Sequence, residues 1–407
     1  MSRTASVIPL SQTLRNSAFR WILGGLLLAN TGYWMQTVAA AFLIREWTGG
    51  DPVMVSLVQS ALFLPAVVMM IPAGVLVDMF DRRRVMIFAQ CWMMSMAAAI
   101  SALVISGITN PWLLLALLAM VAVGFALSTP AQSSIWPELV GIKEVGNAIS
   151  LYSMTNNGAR LVGPALAGAL IAGVGVANAV AVNAVAYLAV IAALVMWRRP
   201  VPPKRKEPMT LRGALWGGFS FAAGSPPFRN LLVRGGIFFI VASIVLGVFP
   251  VKVLKADDFG TVFSFFGLGA ILGALNYPRA AARFSRATLV SLAIATHAAG
   301  LIGAAATDFV PLLCVLTCLI GFAWFFVMSS VQVGAQMVLP DEVRGRGLAV
   351  LNLILMSGYA FGSPLWGAVA RATTPDQALV IAAVVSLSAL ALTFRLRLPG
   401  DEERIVG

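Results

Sequence analysis

Long apolar runs separated by short polar links fill almost the whole chain. A helix needs about 20 apolar residues to cross the hydrocarbon of a bilayer. With no water there, backbone groups must be satisfied inside a helix or a closed barrel. The runs lack the period-two alternation of barrel strands, so they predict helices. In the first half the spans fall at Phe19 to Leu43, Val53 to Val77, Val85 to Ser106, Leu113 to Ile135, Asn147 to Ala172 and Val174 to Met196. In the second they fall at Leu231 to Phe249, Phe259 to Ala281, Thr288 to Ala306, Val310 to Val338, Leu348 to Ala370 and Gln377 to Phe394. The expected organisation is all-α and membrane-integral, with a first unit over 1–197, a cytoplasmic linker over 198–230 and a second unit over 231–407.

Composition agrees with this pattern. The 407 residues are 59% hydrophobic and 11% charged, against roughly 25% charged in a soluble domain. The net charge of +12 does not imply nucleic acid, because its basic residues lie in gaps between apolar runs rather than on a soluble face. The three cysteines, Cys91, Cys314 and Cys318, all sit inside apolar runs. They read as small packing residues; the Cys314 and Cys318 pair is one helical turn apart, but no acid or histidine accompanies it as a metal site would need. Met1 to Arg20 is polar and lacks the apolar core of a signal peptide, so the first span is expected to stay in the membrane.

Lys and Arg mark the cytoplasmic side. With the N-terminus inside, only Arg45, Lys252, Lys255 and Arg371 of the 28 basic residues fall outside, and Arg160 belongs to neither side. Both termini are then cytoplasmic. The linker R-R-P-V-P-P-K-R-K-E-P from Arg198 suits an exposed segment, with Met209 to Ala223 as a short surface helix.

The two halves echo one another. Gly124-Phe-Ala recurs as Gly321-Phe-Ala, Pro137-Glu-Leu-Val as Pro340-Asp-Glu-Val, and Gly158 to Pro164 as Gly358 to Pro364. An internal repeat in this order predicts a duplicated six-helix unit with its site between the halves near mid-membrane.

The link Gly74 to Arg84, G-V-L-V-D-M-F-D-R-R-R, joins the second and third spans. Gly74, Leu76, Asp78, Arg82 and Arg83 fit the loop pattern of the major facilitator superfamily, with Asp81 at the usual glycine and Met79 at the usual arginine. With E-W-T-G-G from Glu46, the Asn147 to Gly168 stretch and L-P-D-E-V-R-G-R from Leu339, the chain resembles the enterobactin-exporter and macrolide-efflux branch, the transmembrane secretion effectors. The resemblance implies twelve helices in two pseudo-symmetric six-helix bundles. It also implies a monomer in a bacterial cytoplasmic membrane that moves a small organic molecule by alternating access, in exchange for protons. No substrate follows from it.

The same resemblance implies a cytoplasmic latch. The Asp78 carboxylate would meet the positive end of helix eleven, which begins just after Arg344-Gly-Arg346-Gly347, with Gly74 permitting close approach and Arg82 and Arg83 beside it. For Arg83 and Arg84 a plain anchoring role fits equally well. The stretch with Gly158, Gly163, Pro164 and Gly168 resembles the glycine-proline signature of antiporter helix five, a close-packed and bendable helix.

Arg160 stands about midway along the fifth span, where an arginine costs roughly 2.5 to 3.5 kcal/mol on insertion scales. It should face protein or water, with Asn156 on the same face. It serves either to satisfy carbonyls freed near Pro164 or as a cationic contact for an anionic substrate or coupling network. Polar faces recur on the helices that line the cavity in the superfamily: Asn30, Tyr33, Trp34 and Thr37; Ser128 and Gln132; Ser329, Gln332 and Gln336. Aspartates and glutamates all fall in loops or at helix ends, leaving no obvious proton carrier. Glu46 is the nearest candidate, and His297 reads as structural. No nucleotide-binding loop occurs, and no cofactor is expected. An uptake permease for an anionic metabolite and a non-transporting sensor or scaffold are the rival readings; an embedded enzyme has no convergent carboxylate, thiol and imidazole behind it.

Overall fold

The computed structural model describes residues 10–197, 220–253, 256–340 and 343–393. The linker over 198–219, and with it most of the expected surface helix from Met209, lies outside the described residues. So do the side chains of Asp78 and Arg344 and the surroundings of Gly168.

Twelve long helices are formed by the described residues: α1 Ser17–Trp47, α2 Pro52–Met79, α3 Arg82–Ile105, α4 Pro111–Val140, α5 Val145–Val174, α6 Val176–Met196, α7 Pro226–Lys252, α8 Ala256–Arg283, α9 Arg286–Ala305, α10 Val310–Val338, α11 Arg344–Ala372 and α12 Pro375–Thr393. They match the twelve expected spans in order. α7 is interrupted at Ser243. Among the described residues, ten stretches are long and apolar enough to cross a membrane. The two helices left out are α1, whose middle carries Asn30, Tyr33, Gln36 and Thr37, and α5, some of whose side chains are outside the description.

Local chemistry sets the helix ends. The side chains of Asn16, Asp51, Asp81, Asn110 and Ser285 accept from the N–H groups of Phe19, Val53, Arg84, Leu113 and Thr288, satisfying donors that a first turn leaves unpaired. Gly141 and Gly175, at φ 76° and 83°, end α4 and α5 in a conformation that a side chain disfavours. α1 runs past the expected Leu43 and carries Arg45 and Glu46 near its end. α11 begins at Arg344, so Arg344 and Arg346 lie in its first turn rather than ahead of it.

The main packing pairs of the first half have counterparts in the second. α2 packs on α4 as α8 does on α10, α1 on α5 as α7 on α11, and α3 on α6 as α9 on α12. The halves meet through α2 with α11 and α5 with α8. In lipid, helices associate by close packing more than by a hydrophobic drive, which favours small residues at crossings. A Cβ on Gly163 of α5 would stand 2.7 Å from Trp34 Cβ of α1; one on Gly358 of α11 would stand 2.9 Å from Phe239 Cβ of α7. The repeated Gly158–Pro164 and Gly358–Pro364 segments thus both lie at the crossing with the first helix of their half, though through different positions, since Gly163 aligns with Ser363 and Gly358 with Gly158. The polar residues inside each half are used for packing: Asn183 of α6 donates to Gln36 of α1, and Arg234 of α7, 3% exposed, donates to Ser291 Oγ of α9 at 3.1 Å. Arg234, assigned by sequence to the cytoplasmic side, is therefore inside the second half.

Candidate functional site

Between the halves, at the level of Arg160, lies a cavity of about 120 Å³. The crossing at Gly163 holds α5 against α1, which sets Arg160 beside Trp34. The guanidinium carbon lies 4.7 Å from the Trp34 ring and 4.9 Å from the Trp324 ring of α10, so one cation is sandwiched by an indole from each half. Such contacts contribute about 0.5 to 2 kcal/mol, more as water is excluded. Trp324 Nε1 donates to Tyr359 Oη at 2.8 Å, and the Tyr359 ring stacks on Phe63 of α2 at 5.0 Å and 16°. Phe239 packs edge-on to Tyr359 and Phe266 tilts against Trp324. Among the described residues no carboxylate pairs with Arg160, and its Nε is buried without a hydrogen bond.

On one side of this cavity the halves are sealed together. Ser60 Oγ donates to the Ala360 carbonyl at 2.6 Å, and Ser363 Oγ to the Ser56 carbonyl at 3.1 Å. A Cβ on Gly367 would lie 2.7 Å from the Pro52 carbonyl oxygen, and one on Gly247 3.3 Å from Ser56 Cβ. Asp51 and Arg371 meet at 3.7 Å above these contacts. As partly exposed partners they add little energy, so the serine and glycine packing carries the seal. On the other side a Cβ added at Gly74, Gly146 or Gly158 would meet nothing within 4 Å.

The expected site residues divide into groups. Trp34 and Arg160 line the inter-half cavity. Asn30, Tyr33 and Gln132 line a smaller polar pocket within the first half, beside Gln90, Ser128 and Tyr187, where Gln90 Nε2 donates to Ser128 Oγ at 3.1 Å. Thr37 Oγ1 donates back to the Tyr33 carbonyl at 3.0 Å. Gln332 Nε2 donates to Asn352 Oδ1 at 3.1 Å, joining α10 to α11 at the cavity edge; Gln336 is exposed and Asn156 half-buried. Glu46 is exposed at the end of α1. His297 is fully buried, with its ring edge-on to Phe238 at 5.1 Å.

At the Gly74 end, Arg82 pairs with Glu138 at 3.0 Å and donates to the Ser134 carbonyl, both on α4. Arg83 donates to the Leu194 and Val195 carbonyls at 2.6 and 2.7 Å, capping the end of α6. Both sets of contacts stay within the first half. Arg346 is half-buried. Among the described residues no three of His, Cys, Asp and Glu gather as a metal site would require.

Sequence reasoning passed over Trp324, Tyr359 and Phe63, because aromatic residues in an apolar run read as packing. The repeat held a signal, since Tyr359 occupies in α11 the place next to the one corresponding to Arg160 in α5. The Ser56, Ser60 and Ser363 seal had no such signal.

The family model described as transmembrane secretion effector matches residues 7–406. The multidrug efflux pump Tap of Mycolicibacterium fortuitum is 26% identical over 363 residues, covering 86% of this chain and 88% of that protein. Tap of Mycobacterium tuberculosis (strain H37Rv) is 26% identical, covering 85% of each. Among solved structures, a bacterial homologue of the human lysosomal transporter Spinster, inward-facing and unoccupied, superposes with a TM-score of 0.73 at 17% identity, over 93% of this chain and 96% of that one. The nucleoside transporter NupG superposes at 0.72 with 12% identity, over 94% and 100%. The chain therefore belongs to the transmembrane secretion effector family, with the major facilitator fold, and is a multi-pass membrane transporter.

Proposed function

We propose that this transporter is an efflux pump that carries a small organic molecule out across a bacterial cytoplasmic membrane by alternating access. The observation that carries this reading is the cavity around Arg160, walled by both halves and sealed on the Asp51 side by contacts between them. The Tap relatives support the direction of transport. The distribution of Lys and Arg supports cytoplasmic termini, which makes the sealed side external and the conformation inward-facing. In this reading 1–197 and 231–407 are the two moving units and 198–230 is the cytoplasmic linker.

A single chain suffices for this mechanism. The cavity is exposed in turn to each side as the units rock, and the Ser56, Ser60 and Ser363 contacts form only while the outer side is closed. At the Gly74 end, Gly74, Asp78, Arg82, Arg83, Arg344 and Arg346 form the opposing latch when the inner side closes. Gly158, Gly163, Pro164 and Gly168 let α5 bend as that happens. Trp34 and Arg160 hold the substrate, and Asn30, Tyr33, Thr37, Gln132, Asn156, Gln332 and Gln336 shape the path to it. Exchange for protons supplies the drive, with Glu46 and Arg160 as the residues that link the two fluxes; the support for this is family membership.

The test is substrate accumulation in cells stripped of other pumps. Expression should lower the internal level of a transported compound, a protonophore should abolish the effect, and Asp78→Asn should slow it without loss of protein. Unchanged accumulation across a broad compound panel would refute export.

A further inference from the structure

Resting on the efflux reading, we propose that the cargo class is an organic anion with a planar aromatic body, its negative group taken up by Arg160 and its ring by the aromatic walls. Three independent features converge. First, the guanidinium is inside the membrane-spanning core without a carboxylate partner among the described residues, and its Nε is buried and unpaired. Arg160 is half-buried, and a cation drawn this far from water without a counter-ion is costly, so an arriving anion would complete the site. Second, the hydroxyl beside it is a donor. Tyr359, which lines the same cavity, already accepts from Trp324 Nε1 at its Oη, which leaves its own O–H to donate. Third, the walls are Phe63, Phe239, Phe263 and Phe266, around about 120 Å³, the scale of cavities that take a benzene-sized ring.

The same geometry argues against a cationic cargo. An aromatic box attracts cations through its ring faces, but the faces of Trp34 and Trp324 are already turned to the arginine. A second positive charge would meet repulsion, and among the described residues no carboxylate lines the cavity. A neutral aromatic molecule would gain the ring contacts and leave the guanidinium unpaired.

The experiment uses the purified full-length protein in proteoliposomes and three probes sharing one benzene ring: benzenesulfonate, benzenesulfonamide and benzyltrimethylammonium. Binding is read from tryptophan fluorescence, since both indoles touch the site. The sulfonate should bind about thirtyfold more tightly than either analogue, the scale expected for one partner of a desolvated charge pair. Arg160→Gln should bring the sulfonate down to the sulfonamide, whereas Arg160→Lys, which keeps the charge, should retain part of the preference. If Arg160→Gln does not fold, the wild-type ranking and Arg160→Lys decide the matter. Equal binding of all three probes to the wild-type protein, or unaltered sulfonate binding by Arg160→Gln, would overturn the proposal. Outward transport without charge preference would remove the cargo class and leave efflux standing. Selective sulfonate binding with no movement out of loaded cells would do the reverse.

Discussion

Gly367→Val should open the outer side of the transporter. Gly367 lies on α11 where it crosses the start of α2, and a Cβ there would be 2.7 Å from the Pro52 carbonyl oxygen and 2.8 Å from Ser56 Cβ. Ser56 Oγ is closer still and can rotate away, but the Pro52 oxygen is backbone and Ser56 Cβ does not move with χ1, so a rotamer change does not relieve the clash and the helices must separate. Overpacking of this kind costs about 1 to 3 kcal/mol. If the contact exists only in the outer-closed state, the cost falls on that state alone, and the equilibrium moves toward outer-open by about fivefold to 150-fold. The measurement is the distance distribution between spin labels at exposed Glu46 and Thr373, on either side of the seal, with Cys91, Cys314 and Cys318 replaced by alanine. The population at longer distance should rise. Gly24→Ala, which introduces a methyl into open space, should leave the distribution unchanged. A folded Gly367→Val protein with the wild-type distribution would refute the assignment of this crossing as a gate.

Gly321→Ala should destabilise the second half severely, by about 3 kcal/mol, because its Cβ would collide with the Phe266 carbonyl across the α8–α10 crossing; an unchanged melting temperature in detergent would contradict that packing. Asn183→Ala strands the buried Gln36 Oε1 acceptor and should cost about 1 to 3 kcal/mol, seen as a lower melting temperature, whereas an unaltered one would mean that water or another group replaces the bond. Arg82→Ala removes a partly exposed pair with Glu138 and should cost no more than about 1 kcal/mol. Retained transport would make Arg82 an anchor inside the first half, and lost transport with an unchanged melt would make it part of the inner latch.

The sequence by itself determined the class, the number and order of the helices and the pseudo-symmetry. Hydrocarbon permits few backbone solutions, so length and apolarity alone place a span, and duplicated motifs at matching offsets carry the repeat. It also singled out Arg160, because the cost of a mid-membrane charge depends on depth, which can be counted along a helix. What only the tertiary structure decided was which neighbours that charge has. The sandwich by Trp34 and Trp324, the bond from Trp324 to Tyr359 and the stacking of Tyr359 on Phe63 join residues from five helices and both halves. Aromatic residues in apolar runs look alike until the helices are rotated into place. The Asp51-side seal was hidden for a related reason: serines and glycines carry little pattern of their own, and their role comes from the backbone that lies opposite.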